Sequence, residues 1–185
     1  MKTTHFDVGA NAVVQLGENL YKNTYGVLIE YITNSYDADA SFVKINIDRI
    51  KGTVTIEDDG VGMTLDELGD NFLKVGNNRR KKYITKTTDK GRLVTGRKGF
   101  GKLACFGLFK SFKVDTYKNN QKSTLIVTSK LNEDDEFEYE ALIDEESTPI
   151  QHSNGTIIYL SENTSEIVDN ESLSESIAKR LNIMY

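Results

Sequence analysis

The spacing of apolar residues changes period along the chain, and that change predicts most of the elements. Helical spacing runs over about 10–20 and again over about 24–40, where Leu28, Ile29, Ile32 and Tyr36 share one side of a helical wheel. The period then shortens to two. Phe42, Val43, Ile45 and Ile47 alternate with polar residues, as do Val54 and Ile56 after Lys51-Gly52, which predicts a β-hairpin. Thr64 followed three residues later by Glu67 reads as the N-cap of a short helix over 64–73. A further helix is expected over about 102–109, strands over 111–117, 123–131, 135–143 and 155–160, and a last helix over about 172–181. Strands joined by short connections, with helices gathered in the first half, imply an α+β fold, one mixed sheet with helices on one face. No internal repeat or low-complexity run divides the chain, and the single proline, Pro149, marks no linker. Residues 1–185 therefore read as one domain.

Composition narrows the function classes. Only 38% of the 185 residues are hydrophobic, but nine Tyr and eight Phe can fill a core. No apolar run approaches the roughly 18 residues that a membrane span needs, and the N-terminus has no signal-peptide core, so a cytoplasmic location is expected. One cysteine, Cys105, cannot form an intrachain disulfide, and no Cys/His cluster suits zinc. His5 and His152 are the only histidines and support no Ser-His-Asp triad.

Charge is distributed unevenly. The 74–102 stretch holds eleven basic residues and one acidic, Asp89, together with five glycines, whereas the chain as a whole carries −5. A segment so basic and glycine-rich buries no core of its own and repels itself, so 76–95 is expected to be a mobile loop. By contrast, nine carboxylates over 133–146 alternate with Phe137, Tyr139 and Ala141 and read as an exposed strand.

Three constellations can carry chemistry. At about 100° per residue, Glu30, Asn34 and Asp37 fall within an arc of about 60°, on the side of their helix opposite Leu28, Ile29, Ile32 and Tyr36. Taken alone, this arc also fits a solvated polar face. Asp58-Asp59-Gly60-Val61-Gly62-Met63 follows a strand; a carboxylate there can accept from an exocyclic amine while the glycines admit a flat ring, although an acidic turn has the same pattern. Gly96-Arg97-Lys98-Gly99-Phe100-Gly101-Lys102 opens a helix, where backbone N–H groups and two lysines suit phosphate oxygens. It is not a P-loop, because Leu103 stands where that motif needs Ser or Thr for magnesium. A fourth element, Gly155-Thr156 opening a strand, is uninformative by itself.

In this order the four elements resemble the GHKL superfamily, the Bergerat-fold ATP-binding domains of DNA gyrase B, heat-shock chaperone ATPases, MutL-type repair proteins, MORC proteins and histidine kinases. Residues 28–38 are similar to its N box, 58–63 to its first glycine box, 96–104 to its second, and Gly155-Thr156 to its closing threonine motif. The resemblance covers about 10–160. It implies a two-layer sandwich with an ATP lid over about 76–95, and ATP and Mg²⁺ as cofactors. By the same resemblance Asn34 is the magnesium ligand and Glu30 the catalytic group that orients and deprotonates water. Asp58 accepts the adenine amine beside Gly60, Gly62 and Met63, and Gly96, Lys98, Gly99, Phe100, Gly101 and Lys102 wrap the phosphates. Thr156 joins the adenine-side network, and Asp37 braces the site.

Histidine kinases generally carry asparagine where Glu30 stands, so the resemblance points to hydrolysis. Family ATPases usually borrow a basic residue from a second domain, and little chain follows Leu160. The expectation is therefore the N-terminal part of a longer protein, with slow turnover and ATP-dependent homodimerisation. A nucleic-acid-binding module using the basic 74–102 segment is the alternative from another class.

Overall fold

The computed structural model describes residues 2–6, 24–70, 87–95, 108–131, 137–147, 153–163 and 175. In chain order the elements are β1 (Lys2–Phe6), α1 (Thr24–Asp37), β2 (Val43–Asp48), β3 (Thr53–Asp58), α2 (Leu65–Leu68), β4 (Phe109–Lys118), β5 (Gln121–Leu131), β6 (Phe137–Ser147) and β7 (Gly155–Asn163). The strands form one sheet in the order β1-β6-β5-β4-β7-β3-β2. The α+β class is borne out. The sheet expected to be mixed is antiparallel in every pairing among the described residues. The β4–β5 hairpin turns through Asn119 and Asn120, both at positive φ (55° and 60°), the backbone of a two-residue turn whose twist matches its strands.

Alternation along each strand puts one apolar set on one face, and the register lines these sets up across the sheet. Ile47, Val54, Leu160, Phe112, Val127 and Ala141 form one row, and Ile45, Ile56, Ile158, Val114, Leu125 and Ile143 the next. Val27, Leu28 and Tyr31 of α1 bury themselves on these rows and Leu68 of α2 joins the same core. Each such side chain removed from water contributes roughly 1.5–3 kcal/mol, which is why so short a helix is held firmly.

The third row on this face is different. It runs Val43, Asp58, Thr156, Thr116, Ser123, Glu145. Hydrophobic alternation thus turns polar at the same level in five neighbouring strands, at one end of the helix-covered face.

Several elements differ from the sequence reading. The helix expected over 24–40 stops at Asp37, because Asp39 adopts φ 60° and the Ala40 N–H turns back to the Ser35 carbonyl at 3.0 Å. Strand β1 was not foreseen. Its five residues show little alternation, and it forms by pairing with the edge of β6. The helix expected over 102–109 does not reach its end, since Phe109 already pairs in β4 with Asn163. Its earlier part, the helix over 10–20 and the helix over 172–181 (Glu175 apart) lie outside the described residues, as does 76–86. The remainder of the segment expected to be mobile, 87–95, is folded onto the end of α1: Thr87 and Leu93 bridge each other, and carboxylates of α1 and its following turn hold the chain. Composition did not reveal this, because the stabilising partners belong to residues about 50 positions earlier.

Candidate functional site

Helix α1 positions the first group. Val27, Leu28, Ile29, Tyr31, Thr33 and Ser35 are its buried residues, while Ile32 and Tyr36 are only half-buried. Leu28 and Ile29 of the apolar side inferred from the sequence are buried, but the helix meets the core cluster through Val27, Leu28 and Tyr31, roughly a quarter-turn away from that side. The correction matters for function, since groups opposite the sheet would point to solvent. Glu30, Asn34 and Asp37 are half-buried instead. Tyr36, assigned to the core from its spacing, supports the Arg92 guanidinium, which lies 4.9 Å above its ring.

Asp58 ends β3 in the polar row. Its Oδ1 accepts from the Gly60 N–H at 2.9 Å and its Oδ2 accepts from the Ser35 hydroxyl at 2.7 Å. Burial raises its carboxyl above the usual carboxylate range, although Ser35 and the amides of Gly60 and Thr156 pull the other way. A carboxylate offers about four acceptor directions. Three donors leave one for a further N–H, which fits an exocyclic amine and gives a half-buried carboxylate a reason to be there.

Thr116 links the neighbouring pieces. Its Oγ1 accepts from the Met63 N–H at 2.9 Å and lies 3.1 Å from the Gly155 carbonyl and 3.2 Å from Thr156 Oγ1. One hydroxyl proton serves the carbonyl, so Thr156 is the donor to Thr116. The loop 59–63 is thereby tied to β4 and β7. Asp59 turns away from the site, its Oδ1 accepting from the Ser41 and Phe42 N–H groups at 2.6 and 3.0 Å.

Close backbone approaches explain two glycines. Gly62 sits at φ 64°, and a Cβ there would stand 2.0 Å from the Tyr117 carbonyl oxygen. At Gly155 a Cβ would meet the Asp58 carbonyl oxygen at 2.4 Å. No side chain fits either place, so strand ends and loop approach closely enough to make a floor.

Asp37 braces the other end. Its Oδ1 accepts from both the N–H and the hydroxyl of Thr95, each at 2.8 Å. Thr95 immediately precedes the glycine-rich stretch. Gly96, Lys98, Gly99, Phe100, Gly101 and Lys102 themselves lie outside the described residues. The structure thus brings together Asp58, Gly60, Gly62, Met63 and Thr156 at the polar row, against Ser35 of α1, the helix that also carries Glu30, Asn34 and Asp37. It adds Ser35 and Thr116, which the sequence reading missed. Thr116 had a signal: it continues the inward register of Phe112 and Val114 with a polar group, as Asp58 does after Val54 and Ile56. Ser35 had none, because its use depends on β3 lying against it.

This arrangement has relatives. Residues 21–157, from before α1 to just past Thr156, match the family model of the histidine kinase-, DNA gyrase B-, and HSP90-like ATPases. The chain belongs to this ATPase family. It is 34% identical over 117 residues to a putative type II restriction enzyme, HgiDII, of Herpetosiphon aurantiacus, covering 63% of this chain and 18% of that protein. It is also 30% identical over 123 residues to the mitochondrial TNF receptor-associated protein 1 homolog of Dictyostelium discoideum, covering 55% of this chain and 17% of that protein. The matched region thus spans less than a fifth of either relative. Family membership makes this an ATP-binding type of domain, and it bears out the GHKL resemblance. Among the described residues no helix is long and apolar enough to cross a membrane.

Proposed function

We propose that this domain binds Mg-ATP between α1 and the polar row and hydrolyses it slowly, within a longer protein whose association follows the nucleotide state. The observation that carries the reading is Asp58: a half-buried carboxylate, oriented by Ser35 and Gly60, with one acceptor direction left. In this reading Asp58 accepts the adenine amine, and Thr156, through Thr116, holds the adjoining network with Met63. Asn34 provides a neutral, hard oxygen at the triphosphate end. Magnesium, when bound there, neutralises phosphate charge. Gly96, Lys98, Gly99, Phe100, Gly101 and Lys102 supply backbone donors and positive charge to the phosphates. Glu30, one turn before Asn34, orients a water and takes its proton.

Two outcomes test the division of roles. Glu30→Ala leaves ATP affinity within about twofold and lowers turnover about 10²–10⁴-fold, the range for loss of a general base. Equal single-turnover rates for wild type and variant would remove Glu30 from the mechanism. Asn34→Ala weakens Mg-ATP about tenfold, while ATP measured in EDTA binds nearly as before. Losses of the same size with and without metal would take Asn34 out of the metal site.

The 34% identity to a protein named as a restriction enzyme favours a second reading alongside the first. There the whole protein acts on nucleic acid, with the basic 74–102 segment contributing and ATP as regulator. A DNA titration across salt concentrations, with and without ATP, separates the two. Nucleotide-independent binding with a steep salt slope supports direct contact, and no binding at low salt defeats it.

A further inference from the structure

Strand β2 is the last in the sheet, so among the described residues it has β3 on one side and no strand on the other. Alternate N–H and C=O groups of such an edge point away from its neighbour and form a template for another strand. Native edges are blunted with prolines, bulges or lysines. β2 has no proline and pairs with β3 residue for residue over 43–48, without a bulge. Its lysine, Lys44, is matched by Asp48 four positions on. Val43, Ile45 and Ile47 pack against the core but stay half-buried, while Lys44 and Asn46 are exposed on the opposite face.

The ends of the strand are apolar. Two of the four large hydrophobic side chains exposed among the described residues flank it, Phe42 at 51% and Ile50 at 100%. Phe42 immediately precedes β2, and Ile50 lies in the turn that follows it. A partner that covers both ends of the edge removes this surface from water.

A second copy of β2 does so in one register. When a strand pairs antiparallel with its own copy, opposed residues have a constant sum of numbers. Only alternate residues direct their bonds outward, so that sum is even and the two-fold axis passes through a residue. An axis through Asn46 sets Lys44 against Asp48 of the second copy, Ile45 against Ile47, and Asn46 against itself. It also turns Phe42 toward the turn that carries Ile50. Moving the axis to Ile45 opposes Phe42 to Asp48, and moving it to Ile47 opposes Asn46 to Asp48 and leaves Lys44 toward Ile50. Opposite charges across neighbouring strands attract, so β2 is complementary to itself about Asn46. Asp48 has room for the added lysine. Its Oδ1 accepts from the Ile50 and Lys51 N–H groups at 3.0 Å each, whereas Oδ2 has only Lys51 Nζ at 3.6 Å.

We propose that β2 is a self-association edge, through which two copies of this chain pair antiparallel about Asn46 and join two seven-stranded sheets into one. The contact is smaller than a standard interface, so the dimer is weak and depends on concentration. It involves no nucleotide, and the inference stands apart from the ATP-binding reading.

Sedimentation velocity on the 185-residue chain, over roughly 10 μM to 1 mM, is expected to show monomer passing to dimer. Asn46→Lys puts like charges on the axis and is expected to raise the dimer dissociation constant about tenfold or more. Its melting temperature should stay within about 2 °C of wild type, because Asn46 is exposed. Cysteine variants read the register. Asn46→Cys brings two Cα atoms to about 4.5–5.5 Å on the axis and is expected to form an intermolecular disulfide under copper-phenanthroline. Lys44→Cys is also exposed, but its two copies stand roughly 13 Å apart and are expected not to bridge. Peptide mass mapping separates a 46–46 bridge from any through Cys105. A chain that stays monomeric at every concentration would overturn the proposal and leave the edge to a strand of another protein. A dimer that Asn46→Lys leaves intact, or that Lys44→Cys bridges as readily as Asn46→Cys, would overturn it as well.

Discussion

Asp58→Ala is expected to lower ATP affinity by about 10- to 150-fold, because a hydrogen bond to a charged acceptor is worth about 1.5–3 kcal/mol. The variant removes the acceptor and also releases the Ser35 hydroxyl and the Gly60 N–H from their partner, so the loop 59–63 loosens with it. Calorimetry with ATP measures the effect, and an unchanged dissociation constant would rule out Asp58 as the base-recognition group. The pH dependence carries a sign of its own. Burial raises the carboxyl of the ligand-free protein, so Asp58 takes up its proton at higher pH than an ordinary aspartate. An adenine amine needs the ionised form as acceptor. ATP binding should therefore release protons and weaken as pH falls through that raised value. The half-buried carboxylate also opposes folding while it is ionised: its contribution to stability is fully present below the unfolded pKa and lost as pH rises through the folded one.

Gly62→Ala should damage the fold and the site together. The substitution puts a Cβ 2.0 Å from the Tyr117 carbonyl oxygen in a backbone already at φ 64°. The obstacle is backbone, so either the loop or the end of β4 must move. Movement of either one breaks the Met63 N–H to Thr116 bond. A loss of about 3 kcal/mol or more is expected, which for a domain of this size lowers Tm by roughly 6–12 °C. ATP binding should weaken in step. Gly69→Ala is the control, since a Cβ there meets nothing within 4 Å and its φ of −59° suits any residue. If both alanine variants melt with wild type, the close approach at Gly62 does not constrain the protein.

The sequence by itself determined most of the described elements and the chemistry available to them. Alternation at 43–47 and 54–56 was enough to predict the β2–β3 hairpin, because a half-buried strand must repeat every two residues. Thr64 and Glu67 announced a capping box that the structure forms in both directions. The boxes around Glu30, Asn34, Asp58 and Thr156 were legible as spaced residue types, and with them the family. Only the tertiary structure decided which side of α1 is packed. Period tells how apolar residues repeat, but a helix with Ile29, Ile32 and Tyr36 on one flank and Val27 and Tyr31 on another offers two faces, and the sheet beneath selects between them. The same holds for Ser35, whose hydroxyl became an orienting donor only when register placed Asp58 at 2.7 Å. It holds too for 87–95, which has no core to bury and reads as loose until Asp37 and Asp39 meet it from across the fold. Local patterns are written in neighbouring residues. Partners some 20 to 60 positions apart are brought into contact by strand order and helix rotation, which no local pattern records.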